Sequence, residues 1–245
     1  MTPMSQIAIG QTNSAINIVS FSGGKDSTAM LHLLLEQGVS IDYVIYFETE
    51  WDFPQMDAHM NRIETMTGLQ IIRLRYYRHF NELLARYGWP HSSGGWCVRC
   101  KTDTCNKFIR HIKTRAINKT EYIGFTTSEL QRTQRKGILS KPWQVKFPLI
   151  EAGMSEQDAL DYCLKLGYCW DGLYEVFDRV SCFCCPKGGK AKRNKIQNNF
   201  PDLWREWRWL DAIAETAYPL SDILQTGQRV KQAEFQWQDS IATHN

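Results

Sequence analysis

No apolar run in the 245 residues approaches the roughly 18 consecutive positions that a membrane-crossing helix needs, so the sequence holds no helical span. Residues 1–14 lack the basic start and apolar stretch of a secretion signal, and the expected compartment is the cytoplasm. An excess of charge of one sign is also missing. The net charge is +3, too small to name a partner by bulk electrostatics. No repeat and no long linker divides the chain, and 43% apolar with 22% charged residues is globular composition rather than that of a disordered chain. The G-x-x-x-x-G-K-[ST] spacing of a Walker loop is absent too. Cysteine is what the chain has in quantity. Eight cysteines in a reducing compartment make a poor disulfide framework, so those at ligand spacing are read first as metal or redox groups.

Hydrophobic periodicity supplies the fold. Residues 16–21 form a short β-rich run, a Gly-rich turn follows, and residues 28–37 are packed with Ala, Met and Leu before Gly38. That order is strand, loop, helix. It repeats with a buried strand at 43–47, a helix whose face is Met56, Met60 and Ile63, and a third strand at 69–74. A helix is expected at 80–87, and Cys105, Phe108, Ile109 and Ile112 give another helix an i, i+3, i+4, i+7 stripe before a fourth strand at 121–125. Such alternation implies an α/β fold with a doubly wound parallel sheet, whose ligands sit beyond the carboxyl ends of the strands. Ser155-Glu156-Gln157-Asp158 reads as a capping box opening a helix that runs to Gly167. Past residue 180 the composition turns Cys-rich, then Trp-rich and helical. The expected division is a nucleotide domain at 1–180 and a small Cys-rich, helical part at 181–245.

The strongest local signal is Ser22-Gly23-Gly24-Lys25-Asp26-Ser27. Lying between a strand and a helix, its two glycines allow a tight turn that presents backbone N–H groups to an anion at the helix N-terminus. Lys25 adds positive charge, and Ser22 and Ser27 offer hydroxyls to phosphate oxygens. A carboxylate beside phosphates repels them, so Asp26 is expected to cap the helix or hold a metal ion. A second constellation is Cys97-x-x-Cys100 with Cys182-x-x-Cys185, where each pair can reach one metal from a single turn. Four thiolates suit tetrahedral zinc or an iron–sulfur cluster, and spacing leaves both open. Cys105 and Cys163 fall in apolar stripes and are expected in the core, Cys184 is a possible substitute for Cys185, and Cys169 has no evident role. His91 beside the Trp96-Cys97 loop is a lone histidine, more often solvated than functional.

Several separate segments, in order, resemble the PP-loop ATP pyrophosphatases and, within them, the phosphoadenosine phosphosulfate reductase-like branch. They are the Ser22–Ser27 loop; Phe47-Glu48-Thr49-Glu50-Trp51-Asp52-Phe53-Pro54 after the second strand; Trp96-Cys97 followed by Lys101; Gly124, Glu129 and Arg132; Phe147-Pro148-Leu149-Ile150-Glu151; and Phe177-Asp178-Arg179-Val180-Ser181-Cys182-Phe183-Cys184-Cys185-Pro186. The resemblance spans roughly residues 16 to 186 and implies a PP-loop, HUP-like fold. It implies ATP or a related adenine nucleotide with Mg²⁺, held by Ser22, Gly23, Gly24, Lys25, Asp26, Ser27, Glu48, Gly124 and Glu129. Lys25, Asp26 and Arg132 are then the expected catalytic residues. It also favours a 4Fe–4S cluster on Cys97, Cys100, Cys182 and Cys185 over Zn²⁺. Departures are Glu48 for the usual Asp, Glu50 for the usual Gly, Thr126 where many relatives have Arg, and Leu130 where they have Ser.

The resemblance implies that an acceptor is activated by adenylation with pyrophosphate release, for sulfur transfer. The acceptor class extends to tRNA or DNA, and a sulfur donor protein is a further expected partner. A reductase of adenylylated sulfate is the second reading, weakened because no cysteine follows Cys185 to attack a sulfonate. A non-catalytic nucleotide- or nucleic-acid-binding redox sensor is the third. Lys187, Lys190, Lys192, Arg193 and Lys195 form a basic run that could track a nucleic-acid backbone or equally be a solvated loop. Trp204 and Trp207, one helical turn apart near Leu203 and Leu210, are expected to be core anchors.

Overall fold

A computed structural model describes residues 16–90, 95–112 and 118–216. His91 lies outside the described residues. The chain runs β1 (Ile16–Phe21), α1 (Lys25–Glu36), β2 (Tyr43–Phe47), α2 (Gln55–Thr67), β3 (Ile71–Leu74), α3 (Phe80–Tyr87), α4 (Trp96–His111) and β4 (Lys119–Ile123). A 3₁₀ segment (Thr127–Gln134) and α5 (Lys136–Leu139) lead to β5 (Gln144–Lys146). Then come α6 (Pro148–Glu151), α7 (Glu156–Lys165), α8 (Leu173–Val176), α9 (Gly189–Asn199) and α10 (Pro201–Glu215). No helix among the described residues is long and apolar enough to cross a membrane.

The sheet is five-stranded, entirely parallel, in the order β3-β2-β1-β4-β5. It is the doubly wound α/β fold that the alternation implied. Alternate residues face opposite layers: Val19, Phe21, Val44 and Tyr46 enter the larger core, Ile18 and Ile45 the smaller one. The stripe on α4 covers the smaller core, with Ile109 fully buried and Cys105, Phe108 and Ile112 packed around it. Helix α1 buries Ala29, Met30, Leu31 and Leu34 on the other side. β5 went unforeseen because three residues at a sheet edge, Gln144 exposed and Val145 and Lys146 half-buried, carry no readable alternation.

The larger core continues past residue 180: Phe183, Cys184, Ile196, Trp207 and Leu210 belong to the same buried cluster as Val19 and Leu34. Trp207 is 1% exposed, an anchor as its spacing implied, whereas Trp209 is 54% exposed.

Strand order reverses beside β1, where the chain goes to β2 on one side and β4 on the other. In parallel sheets this switch point opens a crevice at the carboxyl ends of the strands. The Ser22–Ser27 loop and the turn after β4 both emerge there.

Candidate nucleotide and cysteine sites

Helix α1 begins at Lys25, so Lys25 and Asp26 occupy its first turn rather than a preceding loop. The N-terminal amides of the helix therefore face the crevice, where an anion would meet both N–H groups and the positive end of the dipole. Gly23 sits at φ 73°, a left-handed conformation that a side chain would strain. The loop is tied internally: Ser27 Oγ donates to the Gly24 carbonyl at 3.0 Å and accepts from the Ser22 amide at 3.2 Å and the Ser22 hydroxyl at 3.1 Å. It is also tied from outside. Trp170 Nε1 donates to the Gly23 carbonyl at 2.7 Å, and the Lys25 amide donates to the Tyr174 hydroxyl at 2.7 Å.

Lys25 is 4% exposed. Its ammonium donates to Glu156 Oε2 and to the Asp178 carbonyl, both at 3.1 Å. Asp26 Oδ1 lies 3.8 Å from that ammonium, too far for a hydrogen bond, and is buried with no hydrogen-bond partner. Burial raises the Asp26 carboxyl to about 6; Lys25 opposes the shift, and Glu156 and Glu129 add to it. An orphaned buried carboxylate oxygen in the first turn of α1 is a fitting ligand for a hard divalent cation such as Mg²⁺.

Gly124 follows β4 directly. A Cβ there would lie 3.1 Å from the Asp26 carbonyl oxygen and 3.2 Å from Ser27 Cα, so glycine lets this turn press against the loop's backbone. Glu129 is buried and paired with Arg132, while Arg179 Nη1 approaches it at 3.5 Å. The Arg132 guanidinium lies over Phe125 at 4.4 Å, and Phe125 stacks on Phe147. Glu48, the residue after β2, is held by Arg75 Nε at 2.6 Å and Arg73 Nη1 at 3.6 Å on the β3 side.

Glu156, Tyr174, Trp170 and the Asp178 carbonyl were not identified as part of the site from sequence. They belong to segments over 130 positions from the loop, Glu156 on α7 and the others in the segment that follows it, and only tertiary packing delivers them. Cys163, fully buried in α7 as its stripe implied, donates its S–H to the Lys25 carbonyl at 3.4 Å.

Cys182 follows Asp178 by four positions, so at most about 14 Å of chain separates Lys25's partner from the cysteine turn. Cys97 and Cys100 open α4. The Cys97 thiol interacts electrostatically with those of Cys100 and Cys185, and Cys185 with Cys182, linking the four in a chain. No group of three or more His, Cys, Asp or Glu among the described residues is gathered closely enough to hold a metal ion. Four thiols are the donor chemistry of tetrahedral zinc and of an iron–sulfur cluster alike. Burial raises all three of Cys97, Cys100 (to about 11) and Cys182 (to about 12), so without a bound cation they are neutral thiols. Thr49 Oγ1 lies 3.4 Å from Cys182 Sγ and donates to Asp52 at 2.7 Å, tying the turn to the end of β2. Cys184 is fully buried between these elements and Cys169 is exposed.

The basic run divides. Lys187 and Lys190 are exposed, but Lys192 is 7% exposed and Arg193 is paired with Asp211 and lies over Trp207 at 4.9 Å. Of the cations read as a backbone-tracking surface, Lys192 is thus internal and Arg193 half-buried, because α9 turns that face toward the Cys loop and α10.

A five-stranded parallel α/β sheet with a glycine-rich loop opening α1 at its switch point defines the class. Residues 16–187 match the phosphoadenosine phosphosulfate reductase domain, and the chain belongs to that family. It is 33% identical over 199 residues to an uncharacterized protein of Methanocaldococcus jannaschii, a match covering 78% of this chain and 40% of that protein. The chain therefore spans well under half the length of this curated relative. Among solved structures it is similar to the U34-tRNA thiolase NcsA from Methanococcus maripaludis with its 4Fe–4S cluster, at 15% identity and a TM-score of 0.46, covering 84% of this chain and 74% of that one.

Proposed function

We propose that the protein is an adenine-nucleotide enzyme of sulfur chemistry that adenylates an acceptor and releases pyrophosphate. The observation that carries this reading is the buried, unpartnered Asp26 carboxylate oxygen set beside Lys25 at the N-terminus of α1. Binding a phosphate alone needs the backbone nest. A cation-holding carboxylate is wanted where charge builds on a leaving group. In this reading the loop amides and Lys25 hold the β- and γ-phosphates of ATP, and Asp26 holds Mg²⁺. An acceptor oxygen attacks the α-phosphorus, pyrophosphate departs into the nest, and a sulfur nucleophile then displaces AMP from the adenylated acceptor.

Arg132 and Arg179, gathered on Glu129 at the crevice rim, supply positive charge for the α-phosphate. Cys97, Cys100, Cys182 and Cys185 would hold a 4Fe–4S cluster, which supplies a site for sulfur. The acceptor class includes tRNA or DNA, with Lys187 and Lys190 remaining exposed for backbone contact.

The family match favours a second reading, reduction of an adenylylated sulfate. The two differ in products. Incubation of anaerobically purified protein with ATP, Mg²⁺, sulfide and a bulk tRNA or DNA acceptor should release pyrophosphate and AMP in equal amounts. Sulfite from phosphoadenylyl sulfate, with ATP inert under every acceptor, would transfer the assignment to the reductase.

A further inference from the structure

Lys192 is a lysine in an unusual place. Its ammonium donates to the Ser181 hydroxyl at 2.9 Å and to the Cys182 carbonyl at 2.7 Å, and it lies over the rings of Phe53 and Phe177 at 5.6 and 5.8 Å. The titratable groups that interact with it are the thiols of Cys182, Cys184 and Cys185, and among the described residues no carboxylate is paired with it. The backbone makes room for its stem, since a Cβ on Gly188 would lie 2.5 Å from Lys192 Cβ and Cδ. A buried ammonium without a counter-ion is unfavourable. The fold nonetheless encloses this one, beside the ligand turn.

We propose that Lys192 is the fixed counter-charge of the cysteine site: it pins the Ser181–Cys185 turn and faces, with its positive charge, the negative group that the thiolates form when loaded. The inference rests on the cluster reading above, and it assigns a role to a residue that reading does not use. Four thiolates around a 4Fe–4S core in its oxidised form leave a net charge of two negatives, and reduction adds a third. A cation held at a fixed position nearby favours the reduced form. Lys192 is a positioning residue; it touches the ligand turn through a backbone carbonyl and does not touch the reacting atoms.

The test compares Lys192→Met, which keeps the length and removes the charge, with Lys192→Arg, which keeps the charge. Anaerobic proteins are titrated spectroelectrochemically, and exchange of the Phe183 and Cys185 amides is followed by hydrogen–deuterium mass spectrometry. In the wild type these amides donate to the Trp51 and Cys182 carbonyls. The expected results are a lower midpoint potential in Lys192→Met than in the wild type, a potential near that of the wild type in Lys192→Arg, and faster exchange of the turn in Lys192→Met. An unchanged potential in a loaded Lys192→Met protein overturns the charge role. Should wild-type protein contain no iron or sulfide, the cluster reading fails by itself. The exchange measurement on metal-free protein then still decides whether Lys192 pins the turn, and unchanged exchange rejects it.

Discussion

Asp26 is enclosed without a hydrogen bond to one of its oxygens, and this makes its charge sensitive to pH. With a folded value near 6 against an ordinary 3.8, raised mainly by burial, the carboxyl favours folding while protonated. That contribution is fully present below about pH 4 and is lost as pH rises through about 6. In nucleotide-free, metal-free protein, Asp26→Asn should therefore raise the melting temperature at neutral pH and flatten its fall across this window. Denaturation scans from acid to neutral pH check this, and a variant profile superimposable on the wild type would count against the burial argument. Loss of Mg²⁺-dependent nucleotide affinity in the same variant, by about tenfold or more, is expected from removing a charged ligand. A residue stabilised by its removal but needed for binding is the pattern of a functional site rather than a structural one.

At the scale of elements, the loop depends on helices that follow it by more than a hundred residues. Ser155 caps α7, accepting from the Asp158 amide at 3.2 Å while its own amide donates to Asp158 Oδ2 at 2.9 Å. The next residue, Glu156, holds Lys25. Ser155→Ala should cost about 1 kcal/mol, typical of a lost N-cap, which is about 2–4 °C in melting temperature for a domain of this size. Because the frayed turn carries Glu156, calorimetry should also show weaker nucleotide binding. A variant that melts lower with unchanged affinity would show that α7 supports the fold and not the loop. Gly124 acts on the opposite side, where its missing Cβ allows the turn after β4 to rest on the first turn of α1. Loop geometry is thus set by two contacts between elements, as well as by its own serines and glycines.

For the whole molecule, the proposed cysteine set draws one pair from the start of α4 and the other from the turn before α9, more than eighty positions later. A group bound to both would cross-link the two parts of the chain. Removing it with a chelator under anaerobic conditions should therefore lower the melting temperature by several degrees, in line with ligand linkage at saturating affinity. Cys97→Ser or Cys182→Ser should lower it similarly and lose iron and acid-labile sulfide together. Metal analysis beside thermal melts provides the check. Stoichiometric zinc without sulfide would reverse the choice of cofactor. The shared core reinforces this linkage: Phe183, Ile196, Trp207 and Leu210 are buried in one cluster with Val19 of β1, so α9 and α10 pack into the core of the sheet.

What the sequence determined by itself was local and periodic. The alternation of β1, α1, β2, α2 and β3 was legible because burial on one or two faces imposes a repeat of 2 or 3.6 residues on the sequence. The loop was legible because its chemistry is contiguous, and the Ser155 capping box because its partners lie three residues apart. Tertiary structure alone decided which distant groups face that loop. It set Glu156 and Tyr174 beside Lys25 and left an Asp26 oxygen buried without a partner. It locked Glu48 between Arg73 and Arg75, took Lys192 out of solvent and paired Arg193 with Asp211. A basic residue reads the same in sequence whether it faces water or a buried thiol. The difference lies in which helix face the core claims, and that is settled only when all the elements pack together.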